Sequence, residues 1–336
     1  MNVNSGSSQG SLTTAVVNST FVHSHGDVLY FETDWYKAFV VSTLSVLMFL
    51  ICFGNGYVIA VYFYVRKLQT KGNLMIIHLA VTDFVAGLAV PYHITTFVDT
   101  SLSENIYSCI LRYSLNVFPG MASLLSLLMI TVHRYKAIVH PLQHQVSNSR
   151  RFAWITGIMV WVPSFLFGFV LPFIWHKNWS FESDRDCEFS LVLTEEYISY
   201  TLVLPFFLIA MSIFSLYMGI LVMVKIRNRR QVGPDNVGPS ATELAQQREI
   251  KLTKTIALIL IGFFLCWAPF IVILAVHSFS YAPYSTNAIV MRNAFNFLAG
   301  GNCGLNPILY AIRLPEFREP LRRIVSKGPQ SRTLTN

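Results

Sequence analysis

Cys109 to Pro141 reads CILRYSLNVFPGMASLLSLLMITVHRYKAIVHP. Its interior, Tyr113 to Val132, carries no charge; Cys109 stands before that run and His133-Arg134-Tyr135 directly after it. Wound as a helix, Cys109 to Arg134 extends roughly 37 Å, at about 1.5 Å per residue. A bilayer's hydrocarbon core is ~30 Å thick. The segment is therefore expected to cross a membrane, with a cysteine at one face and an arginine at the other.

The whole chain has the composition such a rod needs. It is 53% hydrophobic and only 12% charged, with mean hydropathy +0.49, whereas soluble domains carry about a quarter charged residues. The net charge of +8 does not mark a nucleic-acid partner, because the basic residues cluster in short segments between apolar runs, as membrane orientation requires. Five cysteines are too few for a disulfide scaffold. The N-terminus has no basic segment followed by an apolar core, so the first membrane helix is expected to act as its own insertion signal.

Apolar runs predict helices near Trp35–Val65, Leu74–Val98, Tyr107–Val139, Phe152–Trp175, Glu195–Ile226, Glu249–Phe279 and Thr286–Ile312. The expected fold is an all-α membrane protein, a seven-transmembrane helix bundle with a short amphipathic eighth helix. In that eighth segment, Pro315–Val325, Phe317, Leu321 and Ile324 share one face and Arg318, Arg322 and Arg323 another, as in a helix lying on a membrane surface. Residues 1–34 are expected to be a disordered, glycosylated extracellular tail, 35–326 the bundle and surface helix, and 327–336 a short cytoplasmic tail. The Lys/Arg asymmetry of the loops places the N-terminus outside. The sequons at Asn18 and Asn178 then fall on the glycosylation-competent side. Asn228 to Arg248, with two Gly-Pro steps, is expected to be a flexible linker.

Polar residues in mid-helix mark functional candidates, because a bilayer makes them costly. They are Asn55, Asp83, Ser123, Asn302 and Asn306. Two readings stand for this group. Asp83, Ser123, Asn302 and Asn306 hold a sodium ion with water, or a protonated Asp83 is held by the amides. Prolines interrupt most helices, and Trp267-Ala268-Pro269, with a bulky ring beside the kink, points to a hinge.

Taken in order, Gly54-Asn55, Leu79-Ala80-Val81-Thr82-Asp83, Cys109, His133-Arg134-Tyr135, Trp161 and Pro205 form a recognisable series. It continues with Phe263, Cys266-Trp267-Ala268-Pro269, Asn306-Pro307-Ile308-Leu309-Tyr310 and Phe317. From Trp35 to Val325 the chain resembles the rhodopsin-like G-protein-coupled receptors, and its motifs lie nearest the amine- and adenosine-type members. The resemblance implies a receptor of the plasma membrane, not an enzyme, that passes an extracellular small-molecule or peptide signal to heterotrimeric G proteins. It implies a Cys109–Cys187 disulfide. It implies that Arg134, flanked by His133 and Tyr135, is a latch paired with Glu249 when inactive. It implies that Phe263, Trp267 and Pro269 form a switch and that Asn306, Pro307 and Tyr310 move on activation. Two positions depart from the family pattern: His133 stands where an acidic residue is usual, and Ile213 where a tyrosine is common, with Tyr217 one turn on.

The resemblance also places a ligand site above Trp267, lined by Asn116, Gly120, Tyr197, Thr201, Phe270, Ile271, Asn296 and Ala299. Asn116 stands where amine receptors carry an aspartate, which disfavours a simple monoamine. Gly300 occupies the opsin lysine position, which disfavours retinal, and Leu274 that of the adenosine-pocket asparagine. Arg112 and Arg292 either attract an anionic ligand or snorkel and pair with Asp186 or Glu188. Alternatives to a ligand-driven receptor are a constitutively active one, which His133 keeps open, and a transporter. A transporter needs a chain of ionisable groups, whereas Asp83 is nearly alone in the core.

Overall fold

A computed structural model describes residues 34–103, 105–140, 149–177, 187, 189–230, 241–280 and 286–326. The sequons at Asn18 and Asn178, the first 33 residues and the last ten lie outside the described residues. The chain divides into two units, 1–43 and 44–336. In the first, the described residues are the opening of helix α1 (Asp34–Tyr64), where Thr43 Oγ1 donates to the carbonyl of Phe39 at 2.7 Å.

The second unit carries the remaining helices. They are α2 (Lys71–Val98), α3 (Ile106–Val139), α6 (Ala241–Ser280), α7 (Thr286–Arg313) and α8 (Pro315–Ser326). Between them lie two composite rods. Helix α4 runs through Ser149–Phe165, a π-helical turn Leu166–Val170, and Leu171–Ile174. Helix α5 runs through Glu195–Tyr197, a π-helical turn Ile198–Val203, and Leu204–Arg230. Among the described residues there is no strand, only an isolated bridge between His176 and Leu193.

Local chemistry starts these helices. Thr70 caps α2 by accepting from the amide of Asn73 at 3.2 Å, and Asn105 caps α3 by accepting from that of Tyr107 at 2.8 Å. Thr194 caps α5 through the amide of Tyr197 at 3.1 Å. Among the described residues, six helices, α1 to α6, are long and apolar enough to cross a membrane. Helix α7 has the length but is more polar, because Asn296, Asn302 and Asn306 punctuate it. Asn302 and Asn306 are buried, so that polarity is spent inside the protein. The outer faces are the reverse of a soluble protein's: Phe53, Trp154, Met211, Phe214 and Leu265 are all more than 60% exposed.

Helix α3 is the central rod and packs against α2, α4, α5 and α6. Its contact with α4 is backbone-close, since a Cβ on Gly168 would lie 2.4 Å from Phe118 Cα. The π turn there has a simple origin. Within it the amide of Leu171 bonds the carbonyl of Leu166, five residues back. Pro172 follows and has no N–H, so the carbonyl of Phe167 has no helical partner. The hydroxyl of Tyr197 on α5 supplies one at 2.8 Å. Helix α8 docks through buried Leu314 and Phe317, and the hydroxyl of Tyr57 donates to the Phe317 carbonyl at 2.9 Å.

One expected boundary moves. Helix α6 begins at Ala241, eight residues before the expected Glu249, and the preceding helix continues to Arg230. The segment Ala-Thr-Glu-Leu-Ala-Gln-Gln-Arg is polar but made mostly of good helix formers. The helix therefore outlasts the apolar run, and 228–230 and 241–248 are helix where a linker was expected.

Candidate functional site

The first part of the site is a polar group in the middle of the bundle. Asn306 on α7 donates its side-chain N–H to Asp83 Oδ2 on α2 at 2.7 Å. Asn55 on α1 donates to the carbonyls of Ile51 at 3.0 Å and Cys303 at 3.1 Å. Gly54 makes that approach feasible: a Cβ there would meet Pro307 at 2.9 Å. Asp83, Asn55, Ser123, Asn302 and Asn306 are all buried. Asp83 Oδ1, Asn55 Oδ1, Ser123 Oγ and the Tyr310 hydroxyl have no hydrogen-bond partner among the described residues. Buried polar atoms left so are costly. Asn302 faces α6, its Oδ1 3.9 Å from where a Cβ of Gly262 would be.

Above it is an aromatic stack on α6. Phe263 and Trp267 lie with ring centroids 5.7 Å apart and planes 23° apart, and Phe270 meets Trp267 edge-on at 6.2 Å. The Trp267 ring rests on Gly120 of α3, where a Cβ would lie 2.5 Å from it. Gly120, expected as ligand lining, thus provides the surface on which the Trp267 ring sits. Pro269 follows within the same helix.

At the N-terminal end of α3, Cys109 and Cys187 form a disulfide, with Cα atoms 5.7 Å apart. Tyr113 reinforces it, donating its hydroxyl to the Cys187 carbonyl at 2.6 Å and meeting Phe189 edge-on at 4.9 Å. Asn116 on α3 donates to Asn296 Oδ1 on α7 at 2.7 Å. Ile271, Ala299, Tyr197 and Thr201 are buried. The Tyr197 hydroxyl is turned to α4, and Thr201 Oγ1 donates to the Tyr197 carbonyl. The first hydroxyl serves the α4 π turn and the second lies within that of α5. Two cavities, about 360 and 250 Å³, lie along the α3–α4 face, away from these residues. The side chain of Arg292, Asp186 and Glu188 lie outside the described residues.

Towards the C-terminal end of α3, Arg134 is only 2% exposed and presses against α2, where a Cβ on Gly72 would be 2.6 Å from Nη2. His133 is also buried, its ring 5.2 Å from that of Phe152 on α4. Tyr135 lies against Gly219 of α5, 2.9 Å from a Cβ built there. Tyr217, one turn past buried Ile213, donates its hydroxyl to the Thr253 carbonyl of α6 at 3.1 Å. The side chain of Glu249, the expected partner of Arg134, lies outside the described residues. Tyr310 is buried, its ring 6.3 Å from Phe317.

Sequence reasoning missed Tyr113, Gly72 and Tyr57 as fastening points. Each fastens through the contacts of a single residue, and no spacing announces it.

This architecture, a set of long helices with a disulfide at one end of α3 and a buried arginine at the other, has a known counterpart. Residues 54–310 match the family described as 7 transmembrane receptor (rhodopsin family), and the chain belongs to it. Trace amine-associated receptor 13c of Danio rerio is 26% identical over 291 residues, 84% of each chain. Adenosine receptor A3 of Bos taurus is 28% identical over 272 residues, 79% of this chain and 83% of its own. The 5-hydroxytryptamine receptor 1B of Mus musculus is 25% identical over 348 residues, 86% of this chain and 87% of its own. The protein is a multi-pass membrane receptor of the G-protein-coupled kind.

Proposed function

We propose that this receptor sits in the plasma membrane with its N-terminus outside and couples an extracellular ligand to heterotrimeric G proteins by movement of α6 and α7. One relationship within α3 carries this reading. Gly120 supports the Trp267 ring, and fourteen residues on, Arg134 is buried against α2. That separation is roughly 21 Å of helix, so displacement of the α6 ring is relayed along one rigid rod to the inner face. The ligand's role is to bind two arrangements unequally. Asp83, Ser123, Asn302 and Asn306 are the proposed sodium ligands, and the unsatisfied Asp83 Oδ1 and Ser123 Oγ support this. Helix α8 is proposed to lie on the cytoplasmic membrane surface.

The ligand is neither of those named for the relatives above in simple form. Asn116 offers a neutral amide where a cationic amine needs a carboxylate, and buried Leu274 offers no hydrogen bond to adenine. The Asn116–Asn296 pair both donates and accepts and suits a neutral polar group on an otherwise apolar ligand. Membranes carrying the chain should accelerate GTP-analogue loading on added G protein. Solute flux without such loading would support a transporter instead.

A second reading has its own observation. His133 brings no carboxylate beside Arg134, and its ring is against Phe152. The receptor then signals without ligand, and loading would already be high in untreated membranes.

A further inference from the structure

The side of α3 that seats the Trp267 ring also carries a cation. Arg112, Asn116 and Gly120 follow one another at four-residue spacing, so they rise along one side of the helix a turn apart. Gly120 supports Trp267, and Asn116 donates to Asn296 of α7. Arg112 stands one turn nearer the N-terminus and is partly buried. His93 of α2, also partly buried, lies within electrostatic reach of its guanidinium. The two helices are fastened beside this pair, where the Tyr92 hydroxyl lies 2.7 Å from Ser108 Oγ. Carboxylates are missing from the surrounding chain. None occurs from Asn105 to Phe181 or from Ile250 to Pro315, which takes in all of α3, all of α7 and α6 past Glu249. On α2, Asp83 accepts from Asn306; beyond its end, Asp99 accepts from Ser101. At the start of α5, Glu195 pairs with Lys177 and Glu196 is exposed. Among the described residues Arg112 makes no ion pair. A partly buried charge without a counter-charge is held at a cost, which an incoming anion removes. Room lies one turn along α7: Gly300 follows Asn296 by four residues, and a Cβ on it would meet nothing within 4 Å.

We propose that the ligand taken at this end of α3 is an amphiphilic carboxylic acid. Its carboxylate accepts from the Arg112 guanidinium and from a ring N–H of His93. Its apolar body extends towards Trp267 and Phe270, and a neutral polar group on that body meets the Asn116–Asn296 pair. The inference rests on the receptor reading given above and names the class of ligand for it. Eight residues separate Arg112 from Gly120, roughly 12 Å of helix, the reach of a medium-length acyl chain. A carboxylate fits better than a phosphate monoester. One guanidinium fork matches the two oxygens of a carboxylate, whereas a dianion calls for further cations.

The test uses the full-length receptor in nanodiscs of zwitterionic lipid, with tritiated decanoic acid as the probe and nanodiscs without receptor as the blank. Saturable binding is expected. Decanol and decylamine keep the chain and lose the carboxylate; each should compete at least roughly 10-fold more weakly than unlabelled decanoic acid. Arg112→Gln should weaken the acid by roughly 10- to 100-fold, the weight of a hydrogen bond to a charged group, and bring acid and alcohol to equal strength. Lys37→Gln, which removes a cation from α1, should bind the acid as wild type does. Where Arg112→Gln does not fold, the comparison of acid with alcohol on the wild-type receptor decides by itself. Competition by decanol or decylamine as strong as by the acid would overturn the carboxylate site. A preference for the acid that survives Arg112→Gln would overturn its assignment to Arg112, and an absence of saturable binding would overturn the ligand class. Binding is read without G protein and GTP loading without the acid, so the two readings fail separately.

Discussion

The hydroxyl of Tyr197 on α5 donates to the backbone carbonyl of Phe167 on α4 at 2.8 Å. Both residues border or lie in π turns that precede a proline, Pro172 in one helix and Pro205 in the other. The bond satisfies a carbonyl that Pro172 leaves without a helical partner, and Tyr197 is fully buried. Tyr197→Phe should therefore lower the thermal stability of the purified receptor by about 1–3 kcal/mol, the usual cost of an unsatisfied buried acceptor. An unchanged midpoint would show that the carbonyl finds another donor.

Gly120→Ala tests the seat of the Trp267 ring. A methyl there would stand 2.5 Å from Trp267, so the ring or the helices must move. Overpacking of this sort costs about 1–3 kcal/mol. The thermal midpoint should fall, and basal G-protein loading should differ from wild type at equal surface expression. Wild-type values of both would remove the contact from the account.

Asp83→Asn keeps an oxygen to accept from Asn306, and with it the 2.7 Å link between α2 and α7, but removes the negative charge. The wild-type receptor should unfold at a higher temperature in sodium chloride than in choline chloride of equal ionic strength. The variant should show no such difference. A sodium effect that survives the substitution would place the ion elsewhere.

Cys187→Ser opens the outer fastening. Loss of a native disulfide costs about 2–5 kcal/mol, and here it also releases the Cys187 carbonyl that Tyr113 holds at 2.6 Å. Surface delivery should drop sharply in a cell-surface antibody assay. Delivery equal to wild type would show that the clamp is dispensable.

The bilayer is the reason so much was legible. It demands long apolar rods, so α2 and α3 end where the apolar runs end, at Val98 and Val139. Where that demand lapses, the sequence reading loses its edge: α6 starts at Ala241 because helix propensity continues past the apolar run. The π turns were not readable, since one extra residue per turn leaves composition unchanged; Pro172 and Pro205 mark their ends only in hindsight. Asp83 and Asn306 were readable as costly polar residues, and their bond follows from that cost. The outer residues fared less evenly. Asn116 and Asn296 meet, while the Tyr197 hydroxyl bonds α4 and Gly120 carries the Trp267 ring, contacts that the resemblance did not announce. Register fixes a helix face, not whether a neighbouring helix already occupies it.

Arg134 tests the central claim most directly, because every relay in this account ends there. G-protein loading should be measured in membranes of wild type and Arg134→Ala, matched for surface expression and without added ligand. The account predicts surface delivery of both chains, with loading above untransfected membranes for wild type and reduced to their level by the substitution. Wild-type loading retained by Arg134→Ala would contradict it.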